Sequence, residues 1–227
     1  MQQLPLGVRL QDRAVFASFL AGGNGEPLAA LRATAAGTGE RTLYLHGATG
    51  SGKSHLLQAF CATLPGSGYF PLAQLRDAGP GILEGADLLT AVAVDDLEQV
   101  TGETAWEQGL FKLYNECEQR GVRMVMSAST PASALGMRLN DLKSRLASAP
   151  HYGLILLDDR QQRSALQLRA AMRGLELPEE TAQWLQRRYP RDMASLHGLL
   201  DRLDTASLAE QRRLTVPFIR QVIGDQP

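Results

Sequence analysis

The chain has 227 residues and a formal net charge of −1 at pH 7, which argues against nucleic acid as the main partner. Hydrophobic residues make up 44% and charged residues 21% of the sequence, as in ordinary globular proteins with one large or two small domains. No apolar run reaches the length of a membrane span, and no signal-peptide pattern opens the chain, so we expect a cytoplasmic protein. Cys61 and Cys117 lie on apolar faces of predicted helices and indicate buried thiols.

Two features mark the segment before the first glycine-rich motif. Residues 1–10 contain Gln3-Leu4-Pro5-Leu6, which we predict to be extended because Pro5 and Gly7 break a helix. The pattern alone leaves open a disordered leader and a docking peptide. Further on, the two aromatics Phe16 and Phe19 precede a helix that begins near Pro27, and they could either wall an adenine pocket or be plain core residues.

Residues 47–54 match G-x-x-x-x-G-K-S, the phosphate-binding P-loop, between a predicted strand at 42–46 and an amphipathic helix that begins at Ser54. The glycines let successive backbone N–H groups face one anion at a helix N-terminus. We expect Lys53 to reach the phosphates of a nucleotide and the Ser54 hydroxyl to take one position on Mg²⁺. The predicted nucleotide-binding residues of this segment are Gly47, Thr49, Gly50, Ser51, Gly52, Lys53, Ser54 and His55.

A continuous apolar run at 88–94 predicts a central parallel strand that ends in Asp95 and Asp96. The carboxyl end of such a strand meets the P-loop, so we expect Asp95 in the Mg²⁺ shell. Asp96 or Glu98 would orient the attacking water. Asp95 alone could also be a turn residue that ends the strand.

The remaining pattern predicts two domains. A helix at 104–120, strands at 123–129 and 153–157 and a helix after Pro131 complete an alternating series, which implies a three-layer α/β domain with a parallel five-stranded sheet. From Asp158 onward only helices are predicted, so a small all-α domain follows a boundary near residues 157–160. These helices are predicted at 160–173, 179–189, 191–204 and from Thr215.

This organisation resembles the AAA+ ATPases, and within them the DnaA-related Hda family. The resemblance is carried by the P-loop and by segments at 16–31, 94–96, 142–146 and 191–193, whose order and spacing are similar to DnaA. Segments similar to the Hda family are at 3–6, 106–107, 113–115, 166–170 and 209–218. The resemblance implies a docking tail at 1–10, an AAA+ nucleotide-binding domain at 11–158 and a helical lid at 159–227.

Three further residues take roles from the resemblance. Arg145 matches the arginine finger that reaches the γ-phosphate of a neighbour, although a surface salt bridge with Asp141 is the alternative. Arg191 matches the lid arginine called sensor 2, with pairing to Asp192 as its alternative. Ser129 falls at the sensor 1 position, where relatives usually carry Asp, and it brings no negative charge there.

The resemblance implies a regulator of replication initiation. Gln3, Leu4 and Leu6 would dock on the DNA sliding clamp, the polymerase III β subunit. With ADP (or ATP) and Mg²⁺ bound, the protein would stimulate hydrolysis of ATP held by DnaA and so act as a DNA replication inhibitor. Contact with DNA would be indirect, through the clamp, at the nucleoid or replisome. A homodimer or a head-to-tail oligomer is also implied.

Two other functions compete with this one. A DNA-binding helicase loader or initiator-like module would show steeply salt-dependent DNA affinity, and the near-neutral net charge argues against it. A self-acting ATPase would turn over ATP alone. Asp96 is one methylene shorter than the glutamate of vigorous AAA+ ATPases, and Ser129 carries no charge, so we expect weak hydrolysis or none by the isolated chain.

Overall fold

A computed structural model gives the fold and describes residues 14–188, 198–200, 203 and 214–223. The predicted tail residues Gln3, Leu4 and Leu6 lie outside the described residues, as do Arg191 and most of the helix predicted at 191–204. The chain divides into two compact units after Ile155. Each unit has its own apolar core, and each is described by itself below.

The first unit is built on a five-stranded parallel sheet, which confirms the predicted fold class. The spatial order of the strands is β2-β3-β4-β1-β5, so the P-loop strand lies between the fourth and fifth strands. The strands are β1 (Thr42–His46), β2 (Gly68–Pro71), β3 (Ala91–Asp95), β4 (Arg123–Ala128) and β5 (His151–Gly153).

Helices cover both faces of this sheet, because alternate strand residues point to opposite sides. Leu43 and Leu45 of β1 pack in one apolar cluster with residues of α1 and α2, whereas Tyr44 packs with α4 and α5 in a second cluster. The sheet is therefore the middle of three layers. The helices are α1 (Gly25–Ala36), α2 (Lys53–Thr63), α3 (Leu72–Leu75), α4 (Thr104–Arg120) and α5 (Asn140–Ser148).

Three predicted elements have different bounds in the structure. The fifth strand, predicted at 153–157, is His151–Gly153 in the structure. It ends there because its partner β1 ends opposite, at His46, where β1 leads into the P-loop. The run predicted to begin β3 at 88 forms a 3₁₀ turn at Ala86–Leu88 instead. The helix predicted after Pro131 is a 3₁₀ turn, Ala132–Ala134, and α5 begins only at Asn140.

The second unit is helical, as predicted. Its described helices are α6 (Asp159–Ala171), α7 (Glu179–Arg188) and α8 (Val216–Ile223). Asp158 caps α6 by accepting a hydrogen bond from the Gln161 backbone N–H, and the Gln161 side chain accepts one from Asp158 N–H. The buried core of this unit includes Leu166, Ala170, Leu185, Leu199, Leu200, Leu203, Leu214 and Ile219. Among the described helices, none has the length and apolar character needed to cross a bilayer.

Both cysteines are buried free thiols, which confirms the prediction. Burial raises the pKa of Cys61 to about 11 and that of Cys117 to about 12. A thiol with so high a pKa is almost entirely protonated at neutral pH, and both residues act as small apolar core groups.

The buried carboxylate of Glu107, on α4, holds the chain that leads into α5. It accepts backbone hydrogen bonds from Gly102 at 2.8 Å and from Arg138 and Leu139 at 2.7–3.0 Å. Burial alone raises the pKa of this carboxyl, but the three backbone donors outweigh burial, so the net pKa is lowered from 4.5. Glu107 thereby fixes the start of the helix that carries Arg145.

We predict that Glu107→Gln lowers the free energy of unfolding by about 1.5–3 kcal/mol, because the amide loses the charge and one acceptor that the buried N–H groups require. The folded pKa is depressed, so this stabilisation is present above pH 4.5 and is lost as the pH falls through the lower folded value. Urea unfolding of both proteins at several pH values measures the difference. Glu84→Gln, at an exposed glutamate, is the matched control and should change little. A stability loss that is equal at pH 3 and pH 7 would contradict the assignment.

Candidate functional site

The P-loop joins β1 to α2 and is tied to both neighbouring strands. Gly47 donates its N–H to the Ala128 carbonyl at the end of β4, at 3.3 Å. A Cβ at Gly47 would lie 2.5 Å from the carbonyl oxygen of Leu154, next to β5, so no larger residue fits this close approach. The loop is therefore anchored at the carboxyl edge of the sheet, where parallel α/β sheets bind ligands.

Gly52 ends the loop in the left-handed region, with φ of +97°. A Cβ there would meet the Phe19 ring at 2.7 Å, so this aromatic side chain packs directly on the loop. Of the two aromatics that the sequence left open between an adenine pocket and the core, Phe19 therefore takes this place. Phe16 instead has the Arg32 guanidinium 5.8 Å from its ring centroid, and its role in nucleotide binding stays a prediction.

Lys53 begins α2 and is only 6% exposed. Its Nζ donates to the Gly47 carbonyl at 2.7 Å and lies 3.4 Å from the Ala48 carbonyl oxygen, so the ammonium is held over the loop by weak, neutral acceptors. Ser51 Oγ is buried without a hydrogen-bond partner. The Lys53 ammonium and the Ser51 hydroxyl are thus two buried donors in one loop that lack strong acceptors. An anion with several oxygen atoms would supply such acceptors.

Two side chains attach the N-terminal segment to this region. His55 Nε2 lies 3.1 Å from both the Val15 carbonyl oxygen and Ser18 Oγ. Since a carbonyl only accepts, we assign the proton to Nε2, which donates to Val15. Asn24 is buried and pairs with the backbone of Ile155 through both atoms of its amide, at 2.8 and 3.0 Å. His55 is thus a structural tie beside the loop, and its predicted nucleotide contact is untested.

Asp95 ends β3 with no exposed surface. Tyr69 Oη donates to its Oδ2 at 2.7 Å, and Ser127 Oγ donates to its Oδ1. Tyr69 lies on β2 and Ser127 on β4, so hydroxyl groups from the two neighbouring strands stabilise one carboxylate from either side. Burial, followed by the charge of Asp95, raises the pKa of the Tyr69 hydroxyl, which stays a proton donor at any physiological pH.

Asp96 follows in the left-handed region, with φ of 60° and ψ of 51°. Among the described residues it is the one non-glycine residue with positive φ. Such a conformation is costly for most side chains and is concentrated at functional sites. Burial, then the charges of Asp95 and Glu98, raise the pKa of Asp96 to about 6, against the opposing effect of Lys53. Asp96 and Lys53 are thus close enough to interact electrostatically.

Ser129, the predicted sensor 1 residue, follows β4 and is half-buried. Its backbone N–H donates to Glu98 Oε1 at 3.1 Å. Glu98 lies in the 3₁₀ turn Leu97–Val100, and its Oε2 is buried without a hydrogen-bond partner. The structure therefore places the Glu98 carboxylate, from the turn that follows β3, beside Ser129 at the end of β4.

Arg145 is on α5, apart from the P-loop elements, and its side chain is 41% exposed. Its Nη1 lies 2.9 Å from Glu118 Oε2, and its Cζ lies 5.7 Å from the centroid of the Tyr114 ring. Both partners are on α4. The sequence alternative of a surface salt bridge is thus realised, but with Glu118 and not with Asp141. Surface pairs of this kind contribute about 0–1 kcal/mol, so Arg145 is held weakly.

The described residues form no group of three or more His, Cys, Asp or Glu side chains arranged to hold a metal ion. Mg²⁺ is usually bound by one or two protein oxygens together with substrate phosphates, so a protein cage is not required. Ser54, in the first turn of α2, and the Asp95 edge are the residues that would hold it beside a nucleotide. The remaining predicted loop residues, Thr49 and Gly50, are exposed at the tip of the loop.

Four site residues were not identified from the sequence: Asn24, Tyr69, Glu107 and Ser127. Ser127 offered a signal, because it is a lone hydroxyl in the otherwise apolar segment 124–128 of a predicted strand. Such a residue in a strand buried on both faces needs a polar partner. The other residues carry no comparable local signal, since most of their partners are distant along the chain.

Comparison with known families gives two matches. Residues 28–186 match the family model described as the AAA ATPase domain, which is more than half of the chain. Residues 159–223 match the model described as the lid domain of Hda. The second match coincides with the helical unit that begins after Ile155.

Solved structures with similar folds include replication proteins. Domain III of the replication initiation protein DnaA from Thermotoga maritima has a TM-score of 0.76 and 21% identity, over 96% of this chain and 98% of that chain. AMPPCP-bound DnaA from Aquifex aeolicus has a TM-score of 0.67 and 16% identity, over 90% and 69%. The Thermotoga maritima RuvB Holliday junction branch migration motor has a TM-score of 0.56 and 16% identity, over 86% and 65%. At these identities the likeness establishes the fold.

We predict that Asp96→Ala is about 1–2 kcal/mol less stable than Asp96→Asn, because asparagine tolerates the left-handed conformation and alanine does not. Both variants remove the same charge, so their difference isolates the backbone. Urea unfolding at pH 7 measures it. Exposed Asp77, in the 3₁₀ turn Arg76–Ala78, is the matched control, and its Ala and Asn variants should agree within about 0.5 kcal/mol. Equal stabilities at position 96 would contradict the assignment.

Proposed function

We propose that this chain, which belongs to the AAA ATPase family and is an Hda/DnaA-related AAA+ protein, regulates replication initiation by acting on ATP bound to DnaA. It holds its own nucleotide, ADP or ATP with Mg²⁺, mainly as a structural ligand. It docks on the DNA sliding clamp through Gln3, Leu4 and Leu6. Arg145 then enters the nucleotide site of DnaA and stimulates hydrolysis, which leaves DnaA in its inactive ADP form.

The observation that carries this proposal is the P-loop with its buried Lys53 ammonium and the unpartnered Ser51 hydroxyl, in a chain with an Hda-type lid segment. These groups need oxygen acceptors of the kind that nucleotide phosphates provide. Similar folds include DnaA bound to AMPPCP, which supports a nucleotide as the ligand. Gly47, Thr49, Gly50, Gly52, Ser54 and His55 would complete the contacts, with Phe16, Ser129 and Arg191 as further proposed contacts.

The geometry of the acidic edge favours action in trans over vigorous self-hydrolysis. Both oxygens of Asp95 already accept hydroxyl hydrogen bonds, which favours a contact with a metal through water. Asp96 is short and has a raised pKa, and Ser129 supplies no charge of its own. Orientation of the attacking water is much of the catalysis in such sites, and a poorly placed carboxylate loses it.

Arg145 is suited to a partner because it is half-exposed and its present partners are weak. The side chain contacts Glu118 and Tyr114 of the same chain and none of the P-loop. A guanidinium forms two parallel hydrogen bonds to a phosphate, which are stronger than one exposed salt bridge. Transfer of Arg145 from Glu118 to a γ-phosphate in a neighbouring molecule is therefore favourable.

The proposed partners and location follow from this mode of action. DnaA and the clamp are the direct partners, and DNA is contacted indirectly through the clamp. The protein is proposed to be cytoplasmic and to associate with the replisome. A homodimer or head-to-tail oligomer would use the same finger-to-nucleotide contact between copies.

Arg145→Ala should abolish the stimulation of ATP hydrolysis by DnaA, with a loss of about 10³–10⁵-fold, because the charge on the transferring phosphoryl group is no longer neutralised. The assay follows DnaA-bound ATP in the presence of clamp loaded on DNA. Lys143→Ala is the matched control, since Lys143 is an exposed cation on the same helix and should leave the rate unchanged. A full rate with Arg145→Ala would rule out this mechanism, and steady turnover by the isolated chain would favour the self-acting ATPase.

The double variant Gln3→Ala and Leu4→Ala should lose clamp binding, because the apolar anchor and the edge hydrogen bond of the tail are both removed. A pull-down of purified clamp measures retention. Gln11→Ala, beyond the tail, is the control, and the clamp should retain this variant as well as it retains the wild-type protein. Unchanged retention of the double variant would remove the clamp from the proposal.

A further inference from the structure

Three carboxylates lie at or just after the carboxyl end of β3: Asp95, Asp96 and Glu98. Asp95 and Glu98 both raise the pKa of Asp96, and Lys53 of the P-loop lowers it. The trio and the phosphate-binding lysine therefore share one electrostatic environment. A trio of negative groups next to a phosphate site repels an anion unless a cation is placed between them.

Glu98 is linked to the P-loop through the backbone at the end of β4, by hydrogen bonds of Ser129 and Ala128. Its Oε1 accepts from the Ser129 backbone N–H at 3.1 Å. The preceding residue, Ala128, accepts from Gly47 N–H at 3.3 Å, and the Gly47 carbonyl accepts from Lys53 Nζ at 2.7 Å. The position of the Glu98 carboxylate is thus fixed relative to the loop that would hold the phosphates.

The second carboxylate oxygen of Glu98, Oε2, is buried and has no hydrogen-bond donor among the described residues. A buried acceptor left unsatisfied costs about 1–3 kcal/mol, more for a charged group, so such an atom indicates a ligand or an ordered water. Both oxygens of Asp95, by contrast, already accept hydrogen bonds from Tyr69 and Ser127.

We propose that Glu98 is a positioning residue of the nucleotide site, whose free oxygen accepts a hydrogen bond from a water in the hydration shell of Mg²⁺ at the phosphates. Its Oε1 holds the carboxylate in place on Ser129, and its Oε2 is the acceptor that would be left for such a water. Glu98 thus supplies, from the end of β3, the negative charge that Ser129 at the end of β4 does not carry. This inference rests on the nucleotide site of the proposed function and is independent of DnaA and the clamp.

The test compares ADP affinity in Mg²⁺ with ADP affinity in EDTA, by titration calorimetry on the full chain. In wild type, Mg²⁺ should tighten ADP binding. Glu98→Gln keeps an oxygen that accepts from Ser129 N–H but removes the charge, and it should lower the ratio of the two affinities about tenfold, the effect of one hydrogen bond to a charged group. Binding in EDTA should be nearly unchanged.

Controls separate this role from a structural one. Glu98→Asp keeps the charge and should retain an intermediate ratio, so it also serves if the glutamine variant does not fold. Glu84→Gln, at an exposed glutamate that is not among the proposed site residues, should match wild type. The unfolding temperatures without nucleotide should be similar in all of these proteins.

The outcomes are distinct for the two proposals. If wild type binds ADP with Mg²⁺ dependence and Glu98→Gln shows the same ratio within twofold, the role of Glu98 is wrong and the nucleotide site stands. If Glu98→Gln weakens ADP equally in Mg²⁺ and in EDTA, Glu98 is only a structural tie to Ser129. If wild type binds no nucleotide, the proposed function fails, and the role of Glu98 fails with it.

Discussion

The buried carboxylate of Asp95 is the interaction on which the edge of this sheet depends. It has no exposed surface, and its two oxygens accept hydrogen bonds from the hydroxyl groups of Tyr69 and Ser127 on the two flanking strands. A buried charge that loses its partners costs several kcal/mol, so the register of β2, β3 and β4 is strongly fixed. Every group of the candidate site that follows these strands is placed by that register.

The P-loop is positioned by the same edge through close backbone contacts. Gly47 is hydrogen-bonded to the end of β4 and lies against the carbonyl of Leu154, where a side chain would not fit. Lys53 of the loop is also close enough to Asp96 of the acidic edge to interact with it electrostatically. This arrangement combines a cationic loop with an acidic edge, which is the charge pattern that a phosphate group with a divalent cation requires.

The residue proposed to act on a partner is separated from this site. Arg145 lies on α5, whose start is fixed by backbone hydrogen bonds to Glu107, while its side chain rests on Glu118 and Tyr114 of α4. The backbone of the helix is thus held firmly, and the guanidinium is held weakly. A side chain of this kind can change partners without reorganisation of the core, because only an exposed salt bridge is lost.

The sequence by itself determined the P-loop, the strand that ends in Asp95, the three-layer architecture and the helical second unit, because periodicity and short motifs are local. It did not determine that β5 ends at Gly153, since a strand ends where its partner ends. Only the tertiary structure decided that Tyr69 and Ser127 hold Asp95, that Phe19 and not Phe16 packs on Gly52, and that Glu98 lies beside Ser129. These contacts join residues that lie on different strands and loops and are far apart in the sequence, so no local pattern shows them.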